Sequence, residues 1–571
     1  MRTPVFKFIL TVGVALSPIP AVAQQIDADW SPMDDAYSSS EEAVPQETAP
    51  VKKRGRGGHR EGPRVEVTPY SEAQQVVFAD LNNGGDVLTY STVAAGVDAS
   101  IATRRAEAQV SLRYERLIGY DNDVEDQDIV TGLARGSVAL TRNFSLEAGG
   151  VAARASVDGR GAGGTVNLVG NPDNVTQVYS VYGGPTFSSQ AGDLSVNAAY
   201  RAGYTKVESK DMVALPTGQQ RFDQFDDSVS QVATASVGMQ PGALPFGWAV
   251  SGSWEREDAG QLDSRFEGKY ARADVTVPVT PTLALVGGVG YEDIEISERD
   301  ALRDAGGVPI VGGDSRLATD PNSPRLIAYQ QDGLIWDAGV LWRPSPRTSV
   351  EARYGRRYGT DTYIGSLSYQ PGRDWAVNVS VYDQVTGFGG LINDSLASLP
   401  TQFRSSRNPL SGDIGGCAFG RTGGVCLNDA LQNASSVAFR QRGVTASFSG
   451  TNGGWDSGFA VGYNQRKFIA SQLGAQAQFD GVKDDNYFAV AALGSDLDRR
   501  TRFETNVYVN YFDPGFAGAS DVLQTGANAA LYRQVIRGLS ASAAVGLDSY
   551  QQEDFDGELT ASALLGLRYS F

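Results

Sequence analysis

From about Val65 to Phe571 the chain runs in short segments in which apolar and polar side chains alternate with period two. In an extended strand that period sends alternate side chains to opposite faces. The last segment shows it plainly. Leu559, Ala561, Ala563, Leu565, Leu567, Tyr569 and Phe571 fall on one face, and Thr560, Ser562, Gly566, Arg568 and Ser570 on the other. Only Leu564 breaks the pattern. Ala106–Tyr114 repeats it, with Ala106, Ala108, Val110, Leu112 and Tyr114 against Glu107, Gln109, Ser111 and Arg113. In two further segments Phe503, Val507, Val509 and Tyr511 oppose Glu504, Asn506 and Asn510, and Trp375, Val377, Val379 and Val381 oppose Asn378 and Ser380.

A buried sandwich and a transmembrane barrel both use such strands, one hiding the apolar face and the other showing it to lipid. Three features favour the barrel. Aromatic residues (Tyr114, Trp375, Tyr511, Tyr569) end the apolar faces, as interfacial girdles do. The apolar faces are rich in Ala, Gly and Val, which would fill a thick soluble core poorly. Short turns such as Thr280–Thr282, Pro344–Arg347, Pro371–Asp374 and Thr451–Gly454 interleave with long polar loops. The expected fold is therefore all-β: one single-chain transmembrane antiparallel β-barrel over residues 64–571, of about 22 strands, within roughly 18 to 24. The expected strand centres lie near residues 72, 94, 112, 134, 150, 180, 200, 234, 251, 273, 289, 338, 353, 365, 380, 443, 461, 490, 507, 528, 544 and 564. An even number puts both barrel ends on the periplasmic side.

Ahead of the barrel, residues 1–23 read as a secretory signal peptide. Arg2 and Lys7 form its positive start, Phe8–Leu16 its apolar core and Ala21-Val22-Ala23 its cleavage site. Residues 24–63 read as a disordered periplasmic tether: acidic over Asp27–Glu47, then basic at Lys52–Arg60. That basic run is a solvated linker or a contact for a periplasmic partner or an anionic polymer. The net charge of −18 and the scattered basic residues speak against nucleic acid as a partner. The single His of the chain, His59, lies in the tether, so imidazole chemistry inside the fold has no candidate. No carboxylate pair stands out either. The chain reads as a non-enzyme, with no catalytic residue, cofactor or metal site.

The chain ends in Tyr569-Ser570-Phe571, which resembles the terminal signal by which Gram-negative outer-membrane barrels are recognised for assembly. That resemblance implies an outer-membrane location, with lipid, lipopolysaccharide and the barrel assembly machinery as partners. At Gly333–Gly390 a W-R-P-x-x-R-T turn (Trp342–Thr348), an R-R-Y-G strand end (Arg356–Gly359) and a strand ending in Ser380-Val381-Tyr382 resemble the outer-membrane proteins that accompany exosortase (PEP-CTERM) and exopolysaccharide loci. The resemblance covers about a tenth of the chain and implies an envelope-polymer context without a mechanism.

The inward face is polar and mixed in charge. Glu351, Arg353, Arg357, Arg113 and Arg201 are its candidate lumen residues, either a selectivity row or cross-strand salt bridges. Arg353 and Arg357, with Arg356 nearby, are the best candidate for contacting an anion. The longest loop, Gly387–Ser436, carries both cysteines, and Cys417 and Cys426 are expected to form a disulfide stapling it. Nothing in the sequence decides whether that loop folds inward as a constriction or outward as an adhesive tip. Asp121–Asp128 is acidic and lacks an EF-hand's spacing, so it reads as a solvated loop. A barrel of this size carries a lumen plug. The plug domains of TonB-dependent receptors precede the barrel and exceed a hundred residues. The short leading region here argues against that family, and leaves the long loops or the tether to fill the lumen. The leading functional expectation is a pore or channel-like envelope component. The alternatives are a non-conducting surface-binding or structural barrel, or an accessory factor for polymer or protein export.

Overall fold

A computed structural model describes residues 64–82, 87–120, 126–156, 175–209, 225–312, 316–372, 374–420, 423–431, 434–515, 520–552 and 557–571. The expected signal peptide, the tether with Lys52–Arg60 and His59, and Asp121–Glu125 lie outside them.

Twenty-two strands form one antiparallel sheet in which each pairs with its neighbours in the chain. The sheet closes because the first strand, Arg64–Asp80, pairs with the last, Glu558–Ser570, with Tyr70 opposite Ser570. Closure leaves no unpaired edge, as a sheet in lipid requires. Every expected strand centre falls inside one of the observed strands.

The alternation read from the sequence is the inside–outside alternation of the wall. Leu565, Leu567 and Tyr569 are exposed on the outer face, whereas Thr560, Ser562 and Leu564 are buried on the inner one. Val181, Val289, Leu334 and Val545, each more than half exposed, continue the apolar outer band. Aromatics border that band at both rims. Trp336, Tyr354 and Tyr363 run in contact across three strands near one rim, as do Tyr463, Tyr487 and Tyr511. Tyr369, Trp375 and Phe448 form a similar row near the other. A closed single-chain barrel with such a band and girdles is an outer-membrane barrel.

Connections are short at one rim and longer at the other. At the short-turn rim Asn452 pairs with Trp455 across Gly453-Gly454. Both glycines have positive φ (59° and 88°), the backbone that lets a two-residue turn follow the twist of its strands. Short turns lie on the periplasmic side of such barrels. The barrel ends at this rim, where the exposed Phe571 ring rests edge-on against Tyr569 and its amide donates to the Pro69 carbonyl.

Candidate functional site

The longest connection, between strands Trp375–Thr386 and Phe439–Asn452, turns into the barrel. It forms a helix, α1, over Phe388–Ala397, then a three-stranded sheet of Phe403–Arg407, Ile414–Gly420 and Gly423–Cys426, and a last helical turn at Asn428–Leu431. Phe388, Leu391, Ile392 and Leu396 repeat at helical spacing and are all buried. They meet an apolar patch on the inner wall made by Leu133, Val151, Val178 and Val207. The described residues of 387–438 are thus a lumen plug made from one loop.

Polar anchors fix the plug on several sides. The N-terminal amides of α1, at Gly389 and Gly390, donate to the two oxygens of the buried Glu257 carboxylate at 2.9 Å each. The glycines permit this approach, because a Cβ on Gly389 would collide with Ser228. Asn393 donates to Ser230 (2.7 Å) and accepts from Ser180 (2.9 Å). Arg135 donates to the Ala397 carbonyl at the far end of α1 (3.2 Å). Asp413 holds Arg154 through two hydrogen bonds of 2.7 Å, with both side chains buried. Arg407 donates to Thr131 (2.5 Å) and to the Gly412 carbonyl (2.6 Å).

Small wall residues make room for the plug. A Cβ on Gly203 would strike Asn393, on Gly458 the Phe419 ring, and on Gly546 the Leu410 side chain. Leu410 packs with Leu564, Val76 and Phe78, which explains the one residue of the last strand that broke alternation. The plug therefore reaches opposite arcs of the wall.

Cys417 and Cys426 form the expected disulfide (S–S 2.04 Å). They face each other across the hairpin Ile414–Cys426. With Phe419 they pack against Ala460, Phe488, Val490 and Tyr508 of the wall, so the staple lies inside the lumen.

The candidate lumen residues sit in ion-pair networks. Arg353 contacts Glu351 (2.5 Å), Asp274 (2.9 Å) and Asp337 (3.0 Å), and Arg272 joins Asp337 at 2.8 Å. Arg357 pairs with Glu292 (2.8 Å) and lies over the rings of Tyr270 and Tyr358. Arg356 is exposed and donates to the Gly359 carbonyl, apart from Arg353 and Arg357. Arg113 bridges Glu72 and Glu115. Arg201 reaches Asp394 of α1 at 3.0 Å. Burial pushes the Asp394 carboxyl above its usual range, and Arg201 opposes that shift. Of the acidic stretch, Asp126 and Asp128 both pair with Arg116, at 2.8 Å.

A cavity of about 470 Å³ of empty space, its mouth included, remains between α1 and the wall. Glu255, Lys269, Tyr270, Arg357, Gln384 and Asp394 are among its lining residues.

No protein-family model and no curated protein matches the chain. Solved structures resemble it at low identity. The ferric-catecholate import receptor Fiu from E. coli K12 has 11% identity and a TM-score of 0.44, over 89% of this chain and 82% of that one. The copper transporter OprC has 13% identity and a TM-score of 0.38, over 90% of this chain and 82% of that one. The alcaligin outer-membrane receptor FauA from Bordetella pertussis has 12% identity and a TM-score of 0.38, over 88% of this chain and 76% of that one. The likeness is one of strand arrangement.

Sequence reasoning placed the wall residues and the disulfide but missed Glu257, Arg154, Arg407 and Asp413, the residues that dock the plug. One signal was present: Phe388, Leu391, Ile392, Leu396 and Leu399 give an apolar helical repeat inside a loop otherwise rich in polar residues.

Proposed function

We propose that this barrel is a solute-transport device of the outer membrane, held shut at rest by its own longest loop. The observation that carries the reading is the inward fold of residues 387–438, with its charged and amide groups paired to the wall. A wall of 22 strands encloses a lumen wide enough for solutes and is closed in such transporters by a plug. Here the plug is a connection between neighbouring strands, so it moves without breaking the barrel's ladder. A loop serving only as an outer adhesive tip has no need of buried ion pairs inside the lumen, whereas a gate does.

Planar-bilayer recording on the full chain tests this. The wild type is expected to be closed most of the time, with brief discrete openings. A variant in which residues 389–436 are replaced by a short Gly/Ser linker is expected to conduct steadily. Equal conductance of the two proteins, or silence of both with the barrel verified by heat-modifiable gel mobility, would refute the reading.

A further inference from the structure

Beside the plug hairpin the inner wall carries three cross-strand pairs of carboxamides. Asn464 faces Asn486, Asn510 faces Gln524, and Asn506 faces Asn528. All six lie on the inward set of alternate positions. They descend like a stair. Asn464, Asn486 and Gln524 lie near the long-loop ends of their strands, and Asn506 and Asn528 about halfway down. The rows between them hold Phe488 and Tyr508, the wall residues on which the disulfide hairpin and Phe419 pack. The stair thus follows the seam between plug and wall.

Two of these side chains leave every polar atom of the carboxamide unanswered. Asn464 and Asn486 are 0% and 1% exposed, yet neither the Nδ2 nor the Oδ1 of either has a hydrogen-bond partner, and Gln524 Oε1 has none either. Directly rimward of them, Arg466 and Asp484 are equally buried and are paired at 2.7 Å. The guanidiniums of Arg113, Arg154, Arg353 and Arg357 are likewise answered by carboxylates. Buried polar groups in folded proteins are answered by a partner, and a carboxamide left alone is unfavourable. Four unanswered donor and acceptor atoms on facing side chains therefore form a built polar site.

We propose that this stair is the solute path along the edge of the plug, and that it takes uncharged, hydroxyl-bearing solutes of the sugar type. The proposal rests on the transport reading above and names its substrate class. A carboxamide offers both donors and an acceptor without charge, so it exchanges hydrogen bonds with a hydroxyl whichever way that hydroxyl points. A charged solute in the same seam would lose its hydration without meeting a countercharge. The acids beside the stair are already engaged: Asp548 accepts from the Tyr508 hydroxyl, and Asp484 is paired with Arg466. Outward movement of the stapled hairpin would uncover the steps in sequence.

The test uses proteoliposomes carrying the full chain or its Asp413→Ala variant, in which the plug is loosened. Swelling is measured in glucose, gluconate and protonated glucosamine. Glucose is expected to enter about tenfold faster than either ion, and Asn464→Leu/Asn486→Leu to reduce glucose entry about tenfold with gluconate unchanged. Asn510→Leu/Gln524→Leu should do the same, which guards against misfolding of the first pair. Equal rates for the three solutes, or no effect of either pair in verified barrels, would overturn the proposal while leaving transport standing. If no solute enters even after plug deletion, the transport reading falls. Calorimetric titration of the detergent-folded full chain with maltotriose then decides: saturable binding lost in Asn464→Leu/Asn486→Leu supports the site, and no binding refutes it.

Discussion

Removing the Asp413 carboxylate should unlatch the plug. Arg154 lies on the wall, and its Nε and Nη2 each donate to Asp413 at 2.7 Å, while Nη2 also reaches the Ser411 carbonyl at 3.0 Å. Side-chain exposures of 7% and 2% leave little water to replace the lost partner. Breaking such a buried pair costs about 3–5 kcal/mol, because the remaining charge is stranded. The strand bearing Arg154 pairs along its whole length with one neighbour, Arg154 opposite Gln177, and over Ser145–Ala152 with the other, so the loss falls on plug docking and not on the wall. At about 1.4 kcal/mol per factor of ten, Asp413→Ala shifts the docked–undocked balance by about 10²–10⁴-fold. Single-channel recording reads this as a rise in open probability, with the open-state conductance unchanged. Arg154→Met/Asp413→Leu supplies the control: an apolar pair of similar volume is nearly neutral and should restore closure. An Asp413→Ala protein that folds, inserts and stays as closed as the wild type would refute the latch.

Filling the space the wall keeps for the plug should act in the same direction. Gly458→Leu and Gly203→Val drive side chains into Phe419 and Asn393, and each should raise open probability while the gel-mobility shift of the folded barrel persists. Replacing Cys417 and Cys426 by Ser should remove about 2–3 kcal/mol of loop-closure stabilisation, seen as faster hydrogen exchange confined to residues 403–426 with barrel strands unchanged. Arg353→Ala removes the cation common to Glu351, Asp274 and Asp337 and leaves the two aspartates only Arg272 of this network. It should lower the barrel's unfolding temperature, as a loss of about 3–5 kcal/mol, and unchanged stability would show that this network is not structural.

The wall was legible because its alternation is enforced by two solvents. Val545 and Leu565 must suit lipid, and Ser542 and Ser562 the lumen, so a period of two survives in each strand. The plug was not legible, because its partners are remote in sequence. Nothing near Asp413 announces Arg154, and nothing near Gly389 announces Glu257. The sequence leaves the arginines as either a selectivity row or cross-strand salt bridges, because the carboxylates that engage Arg353 include Asp274 and Asp337 on other strands, which only the register brings together. The departures from alternation held the missing information. Leu564, Leu133, Val151 and Val178 are apolar on the polar face because the plug covers them.

The two roots of the plug stand side by side, since Thr386 and Phe439 are partners in the same ladder. A gate carried on two adjacent posts cannot be shed, exchanged with another chain or lost by dilution. Its closing is unimolecular, so the interval between opening and reclosing should not depend on how many copies the membrane holds, and the permanent proximity of the roots keeps its effective concentration at the docking surface high. A barrel gated as proposed would thus reset itself after each opening.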